Sequence, residues 1–304
     1  MTSINDIEFI IPCGGKSTRN YPHSKSVAHK SLLPFGDGRL IDFVLQDIIR
    51  SGGRHISIVC SNQLTVDLFK EALATDKTTL DKLRAQGRIA IADALAETFL
   101  PDDIDLKFIV QDQPIGTAHV LGLAHRYSHD RHGIMIFPDD IIISRDINHS
   151  HLKRLIEAFL EADKTIFLTG IEREDVSNNA IIHNNRLIEK PKIFYNHIAG
   201  FSPYTFPKAL LDFLEDQVNT YEKTGKLPPN LPMAEWVYTD GINQFLDTQK
   251  TDEYALKMLM KDPGDVLLDT GTLPLYELAQ IRALLTLSRF KEENRNFVRE
   301  LLND

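Results

Sequence analysis

The chain is poor in cysteine and has no long apolar run. Its two cysteines, Cys13 and Cys60, each close a short apolar stretch, a setting that implies small, reduced, buried thiols with no chemistry of their own. No apolar segment approaches the roughly 18 residues that span a bilayer, and the opening "MTSINDIEF" lacks the basic-then-apolar plan of a signal peptide. A cytoplasmic protein is expected. Positive charge is also short: 34 Lys and Arg stand against 43 Asp and Glu, for a net charge of −9 and a pI near 5.7. That balance excludes a broad basic face, so neither nucleic acid nor a membrane is expected as a partner. There is no internal repeat and no low-complexity tract. What remains, 304 residues with 42% hydrophobic content, is enough to bury a large core.

Short apolar runs at 8–13, 55–61, 106–110, 133–137 and 165–171 alternate with helix-like stretches. In "RLIDFVLQDIIRS" at 39–51, Leu40, Ile41, Val44, Leu45, Ile48 and Ile49 recur at helical spacing, and Gly52-Gly53 ends the helix. The next strand, "HISIVCS", begins at once. Such βαβ units predict an α/β fold with a mostly parallel, doubly wound sheet and ligands bound beyond the carboxyl ends of its strands. From about residue 172 the pattern changes. Short interrupted strands in "AIIHNNRLIEKP" and a proline-rich stretch, "GKLPPNLPMAEW", precede two helical segments after 272.

Between Glu8 and Asp37 there is no acidic residue, although acids outnumber bases overall. That gap holds Lys16, Arg19, Lys25 and Lys30, with His23 and His29. Its string Gly15-Lys16-Ser17 ends like a P-loop, but a P-loop needs a second glycine where Ile10 stands. What survives is the glycine turn Gly14-Gly15 after an apolar strand, followed by cations. Backbone N–H groups at such a turn favour anions, so a polyphosphate ligand is expected.

The stretch "GGKSTRNYPHSKSVAHKSLLP" resembles the signature of the sugar-phosphate nucleotidyltransferases, G-x-G-T-R-x-x-P followed by a lysine ahead of Leu-Pro. Further segments match in the family's order: "QDQPIGTAHVLGLAH" at 111–125, "FPDDII" at 137–142, "EKP" at 189–191 and "LLDTGT" at 267–272. Within the family the bacterial glucose-1-phosphate uridylyltransferases are most similar, on Pro138 to Ile142, on His119 and on "EWVYTD" at 235–240. The chain departs from the pattern at Ser17, which replaces the second loop glycine, at His29, which replaces a proline, and in the segment after Pro191.

The resemblance implies a Rossmann-like nucleotidyltransferase fold, a mostly parallel mixed sheet flanked by helices. It implies one domain over 1–304, with a nucleotide-binding lobe at about 1–171, a smaller sugar-binding lobe at about 172–272 and C-terminal helices at about 273–304. The implied reaction joins a nucleoside triphosphate, UTP first, to a sugar 1-phosphate, glucose 1-phosphate first, and releases pyrophosphate. Arg19 and Lys30 fall on the family's phosphate-binding cations and are the expected catalytic residues. Gly14, Gly15, Gln111 and Gly116 are expected to bind the nucleotide, with Gln111 pairing the base edge. Glu189 and Lys190 are expected to hold the sugar phosphate. Asp139 and Asp269 each follow a short apolar run, and carboxylates at strand ends from distant segments can share a Mg²⁺ ion through hard oxygen ligands. Asp140 is the lesser candidate. A homo-oligomer is expected, as family members usually are.

The bland readings stay open at this stage: an acidic turn at Asp139 or Asp269, a polar strand cap at Gln111, a surface pair at Glu189-Lys190. So do two other functions, a dTTP-dependent thymidylyltransferase and a catalytically reduced, sugar-nucleotide-binding regulatory protein. His125, His129 and His132 lack a matching cysteine or carboxylate pattern for zinc and read as a polar helix end.

Overall fold

The strand Ile7–Cys13 (β1) buries almost every residue, which places it inside the sheet with both faces covered. Its side chains divide by parity: Phe9 and Ile11 enter one core, Ile10 the other. The computed structural model describes residues 2–27, 29–128, 130–229, 231, 235–249 and 253–303. A small hairpin, Pro34–Phe35 (β2) and Gly38–Arg39 (β3), leads into the helix Leu40–Arg50 (α1), whose buried face carries Leu40, Ile41, Val44, Leu45 and Ile48. Gly52 takes φ +96° and turns the chain into His55–Cys60 (β4).

The helices Gln63–Ala72 (α2), Lys77–Ala85 (α3) and Ile89–Glu97 (α4) precede Asp105–Val110 (β5). Thr117–Ser128 (α5), His132–Met135 (β6), Asp140–Ile143 (β7), His151–Glu161 (α6) and Thr165–Glu172 (β8) follow. The second half contributes Ala180–His183 (β9), Arg186–Glu189 (β10), Ile198–Phe206 (β11), Lys208–Thr224 (α7), Tyr238–Thr248 (α8), Ala255–Met260 (β12) and Val266–Asp269 (β13). Leu273–Thr286 (α9) and Lys291–Asn303 (α10) end the chain.

Nine strands form one mixed sheet in the order β10-β9-β11-β6-β1-β4-β5, with β8 also on β11 and β12 on β8. The pairs β1 to β4, β1 to β6, β4 to β5 and β12 to β8 are parallel, and β11 runs antiparallel to β6 and β8. The change of pattern near residue 172 therefore does not start a new sheet. β11 pairs directly with β6 of the first half.

One core lies between the sheet and α5, α7 and α8, the other between the sheet and α1, α2 and α6. A third cluster joins α9 to the hairpin segment and to β7 and β13 through Leu33, Phe35, Ile141, Leu268 and Tyr276. Leu275, Leu278 and Ile281 on the other face of α9 stand exposed. The proline-rich stretch at 225–236 lies partly outside the described residues, as does His129. No helix among the described residues is long and apolar enough to cross a membrane.

The chain passes from β1 through α1 to β4 and on to β5, then returns through α5 to β6 on the opposite side of β1. Strand order reverses there, and the carboxyl ends of β1, β4, β5 and β6 open on one edge. The return depends on close packing of α5 on α7. A Cβ at Gly122 would stand 2.7 Å from Val218 Cγ2 and 2.8 Å from the Leu214 carbonyl oxygen. Gly122→Val should therefore overpack this contact and cost about 1–3 kcal/mol, read as a lower denaturation midpoint.

Candidate active site

The loop after β1 is built around Ser17. Its backbone is left-handed, φ +54° and ψ +28°, a region where glycine carries no steric penalty. The Ser17 carbonyl accepts from Asn20 N at 3.0 Å and from Ser24 Oγ at 2.7 Å, and its own Oγ accepts from the Lys30 backbone N–H at 3.2 Å. His29 serves the same turn. Its Nδ1 accepts from Ser31 N at 3.2 Å and caps the short helical turn that starts at Lys30. Burial, helped by the neighbouring Lys30 charge, pushes the His29 imidazole down to about 3, which leaves Nδ1 free to accept. Both departures from the family pattern thus support the position of Lys30.

The Lys30 ammonium meets Asp139 Oδ2 in a short ion pair in which each side chain is 13% exposed. Asp139 follows β6, and Asp269 ends β13, 130 residues later. They meet because β7 and β13 pair antiparallel, setting Asp140 opposite Asp269, with Thr270 N donating to the Asp139 carbonyl at 2.8 Å. Burial favours a neutral Asp139, but Lys30, with Arg19 further off, holds its carboxyl below the usual range. Asp140 goes the other way. Burial, then the charges of Asp139 and Asp269, raise it to about 7, while Ser202 N donates to its Oδ2 at 3.2 Å.

At Gly271 a Cβ would lie 3.1 Å from Asp269 Oδ1 and 3.4 Å from Asp139 Oδ2. The missing side chain leaves a space into which both carboxylates face. Among the described residues no group of three or more His, Cys, Asp or Glu gathers as a metal cluster. A hard cation needs less than that, since waters and substrate phosphates complete its shell, and this carboxylate pair fits such an ion.

Gly15, Lys16 and Arg19 are exposed beside the crevice, and no hydrogen bond or ion pair ties Arg19 to another described residue. Gln111, directly after β5, is only 3% exposed. Its Nε2 lies 3.1 Å from the Gly116 carbonyl oxygen and 3.0 Å from His119 Nδ1, while Oε1 faces Gly14, where a Cβ would stand 3.0 Å away. Gly116 has φ +128° and presses on the backbone of residue 236, where a Cβ would fall 2.1 Å from the Trp236 carbonyl oxygen. On the side where a Cβ would stand, Gly116 is thus packed against protein backbone.

Glu189 ends β10 and Lys190 follows it, exposed, at φ +48°. Glu189 Oε2 is buried without a hydrogen-bond partner, as are Thr239 Oγ1 and Asp240 Oδ2 at the start of α8. Burial raises the Glu189 carboxyl, Lys190 opposes this and Asp240 adds to it. Burial also raises Asp240. Buried polar atoms are normally paired; here Thr239 lies against Glu189, and the carboxylate oxygens left over on Glu189 and Asp240 can accept from hydroxyl donors at this strand-helix junction. The buried rings of Tyr204 and Tyr238, 4.6 Å apart, adjoin it. Thr239, Asp240, Tyr204 and Tyr238 were not singled out by sequence reasoning, although "EWVYTD" contains three of them.

His125 does lie at the helix end, as expected, but faces inward. It is buried in the last turn of α5, and its Nε2 pairs with Asp212 Oδ1 at 2.8 Å across to α7. A cavity of about 630 Å³ between α1, α4, α6 and the C-terminal segment reaches the site only at Asp140.

The profile of the nucleotidyl transferase family matches residues 9–231. A putative UTP–glucose-1-phosphate uridylyltransferase of Bacillus subtilis is 27% identical over 220 residues, 68% of this chain and 77% of the relative. UTP–glucose-1-phosphate uridylyltransferase 1 of Streptococcus pyogenes is 26% identical over 276 residues, 84% of each chain. Among solved structures, a UDP-glucose pyrophosphorylase from Acinetobacter baumannii superposes with a TM-score of 0.76 at 17% identity, covering 97% of this chain and 99% of that one. A UTP-bound structure of that organism's enzyme gives the same TM-score at 16% identity.

Gly116→Ala should force the backbone of residue 236 away and displace the Gly116 carbonyl that accepts from Gln111. The expected outcome is a lower melting temperature together with weaker nucleotide binding, read by thermal unfolding and calorimetry. Unchanged values would show that this turn tolerates a side chain.

Proposed function

The chain belongs to the nucleotidyl transferase family, and on that footing we propose that it transfers uridylyl from UTP to glucose 1-phosphate in a Mg²⁺-dependent reaction. The observation that carries this reading is the junction of Lys30 with Asp139, beside Asp269, at the carboxyl edge of the sheet. A sugar phosphate, with a second pKa near ~6, is already largely dianionic at neutral pH and needs no general base. Its oxygen attacks the α-phosphorus in line, a new P–O–P link forms, and the bond to the departing pyrophosphate breaks. The difficulty is bringing two anions together, and catalysis of this kind is mainly positioning and charge stabilisation.

Lys30 supplies a fixed ammonium close to the reacting phosphates. It has three donors, so Asp139 can orient it while phosphate oxygens accept from the rest. Arg19, exposed and unpaired among the described residues, offers a planar fork to the leaving pyrophosphate. A Mg²⁺ ion held by Asp139 and Asp269 would neutralise further phosphate charge. Gly14 and Gly15 give the backbone room at the nucleotide, and Gln111 meets the base. Glu189, Thr239 and Asp240 accept sugar hydroxyls, while Lys190 faces the sugar phosphate. In this reading residues up to about 171 serve the nucleotide, 172–272 the sugar, and the C-terminal helices brace the phosphate loop.

Pyrophosphate release should require both UTP and glucose 1-phosphate, stop on chelation by EDTA and resume with Mg²⁺. Lys30→Ala and Asp139→Ala should each lower kcat/KM by about 100-fold or more, on the scale of lost electrostatic groups. Wild-type rates in both variants would sink the assignment, and dTTP run in parallel separates thymidylyl from uridylyl transfer. The exposed Leu278 and Ile281 of α9, with Phe297, Leu301 and Leu302 of α10, further support a homo-oligomer. Light scattering should give a mass above 34.5 kDa, and Leu278→Glu with Ile281→Glu should return it to the monomer value.

A further inference from the structure

Gln111 carries a side-chain amide with two donors and one acceptor, and its neighbours assign both donors. The Gly116 carbonyl oxygen can only accept, so the atom 3.1 Å from it must be Nε2. The same nitrogen lies 3.0 Å from His119 Nδ1, which takes the second N–H provided that Nδ1 carries no proton. Burial pushes the His119 imidazole down to about 4, so the ring is neutral near pH 7 with its proton on Nε2. The ring itself is fixed, 4% exposed on α5 and edge-on to Tyr221 of α7, whose hydroxyl donates to Gln113 Oε1 at 2.5 Å.

Only Oε1 of Gln111 is then left for a ligand. It faces Gly14, just past β1, where a Cβ would stand 3.0 Å from it, so the glycine leaves the space in front of the oxygen clear of a side chain. We propose that His119 is a positioning residue for base selection. It turns both amide donors of Gln111 inward, so that the base meets a lone acceptor and is selected for a ring N–H donor. Uracil N3–H satisfies that acceptor. Cytosine presents a lone pair at the same ring position and is repelled. The expected pairing of Gln111 with the base edge is narrowed to one polarity.

This inference rests on the uridylyl-transfer reading, so the test separates the two. UTP, CTP and N3-methyluridine triphosphate, which keeps both uracil carbonyls and blocks the N3–H donor, are compared in the wild type, His119→Ala and His119→Asn. Asparagine places Oδ1 where His119 Nδ1 stands and keeps the acceptor. The wild type should prefer UTP over the N3-methyl analogue by about tenfold or more, the worth of one buried hydrogen bond. His119→Ala should shrink that preference, and the preference over CTP, through a higher KM for UTP with little change in kcat. His119→Asn should restore both ratios.

A purely structural role would lower all three nucleotides equally in His119→Ala, and that result overturns the proposal. So does a His119→Asn variant with no preference left. The same ratios are read by calorimetric binding. A chain that binds UTP without turning it over refutes the transfer reading while still deciding the role of His119.

Discussion

Three carboxylates, Asp139, Asp140 and Asp269, converge at one edge of the sheet, and the ammonium of Lys30 keeps Asp139 charged there. Two like charges about 4 Å apart repel by ~4 kcal/mol at an effective dielectric of ~20, the same size as a shift of ~3 pKa units. Lys30 bonds to Asp139 and holds it ionised, and Asp140, buried beside that fixed anion, is raised to about 7. One lysine therefore sorts chemically identical neighbours into different roles. Asp139 is kept as an oxygen donor facing the gap at Gly271, and Asp140 turns to the backbone of Ser202.

The remainder of the fold serves to make that junction rigid. Lys30 and Asp139 are 109 residues apart, and Asp269 lies a further 130 along. Parallel pairing of β1 with β6 brings the first two strand ends together, and the β7 to β13 ribbon brings the third. α9 then locks the phosphate loop from behind. The Tyr276 hydroxyl donates to the Pro34 carbonyl at 2.6 Å, and Asn20 Nδ2 donates to the Thr270 carbonyl at 3.0 Å. Each contact crosses more than 240 residues of sequence, so the loop after β1 is held by the last part of the chain.

The first half of the sheet is legible in sequence because its strands are continuous apolar runs and α1 shows a clear helical face. β11 is not. Its sequence "IAGFSPYTF" contains Gly200, Ser202 and Pro203, which read as breakers, yet it lies buried in the middle of the sheet. Its polar residues are satisfied across strands, Ser202 Oγ by Phe137 N at 3.0 Å and Thr205 Oγ1 by Phe167 N at 2.7 Å. Tertiary context overrides local preference there. α3 and α4 escape notice for the opposite reason, since each buries a single residue, Leu80 and Ala92, and leaves little periodicity to read. At the site, motif spacing locates Lys30, Asp139, Asp269 and Gln111. The orphaned oxygens of Thr239 and Asp240 become visible only once α8 is docked beside β10, because burial without a partner is not a property of sequence.

Ser17 shows how a departure from a pattern can preserve what the pattern is for. A side chain in the left-handed region costs on the order of 1 kcal/mol relative to glycine. The hydroxyl recovers a comparable amount, since a net hydrogen bond is worth ~0.5–1.5 kcal/mol and Ser17 Oγ accepts the Lys30 N–H at 3.2 Å. Stability is thus close to unchanged, but the physics differs. A glycine would leave the loop freer to adjust, whereas Ser17 ties the glycine turn to the backbone of Lys30, the residue paired with Asp139. With His29 capping the same turn from the other side, Lys30 is fixed by its own backbone before any ligand arrives. A pre-positioned cation needs no reorganisation when the charge it stabilises develops.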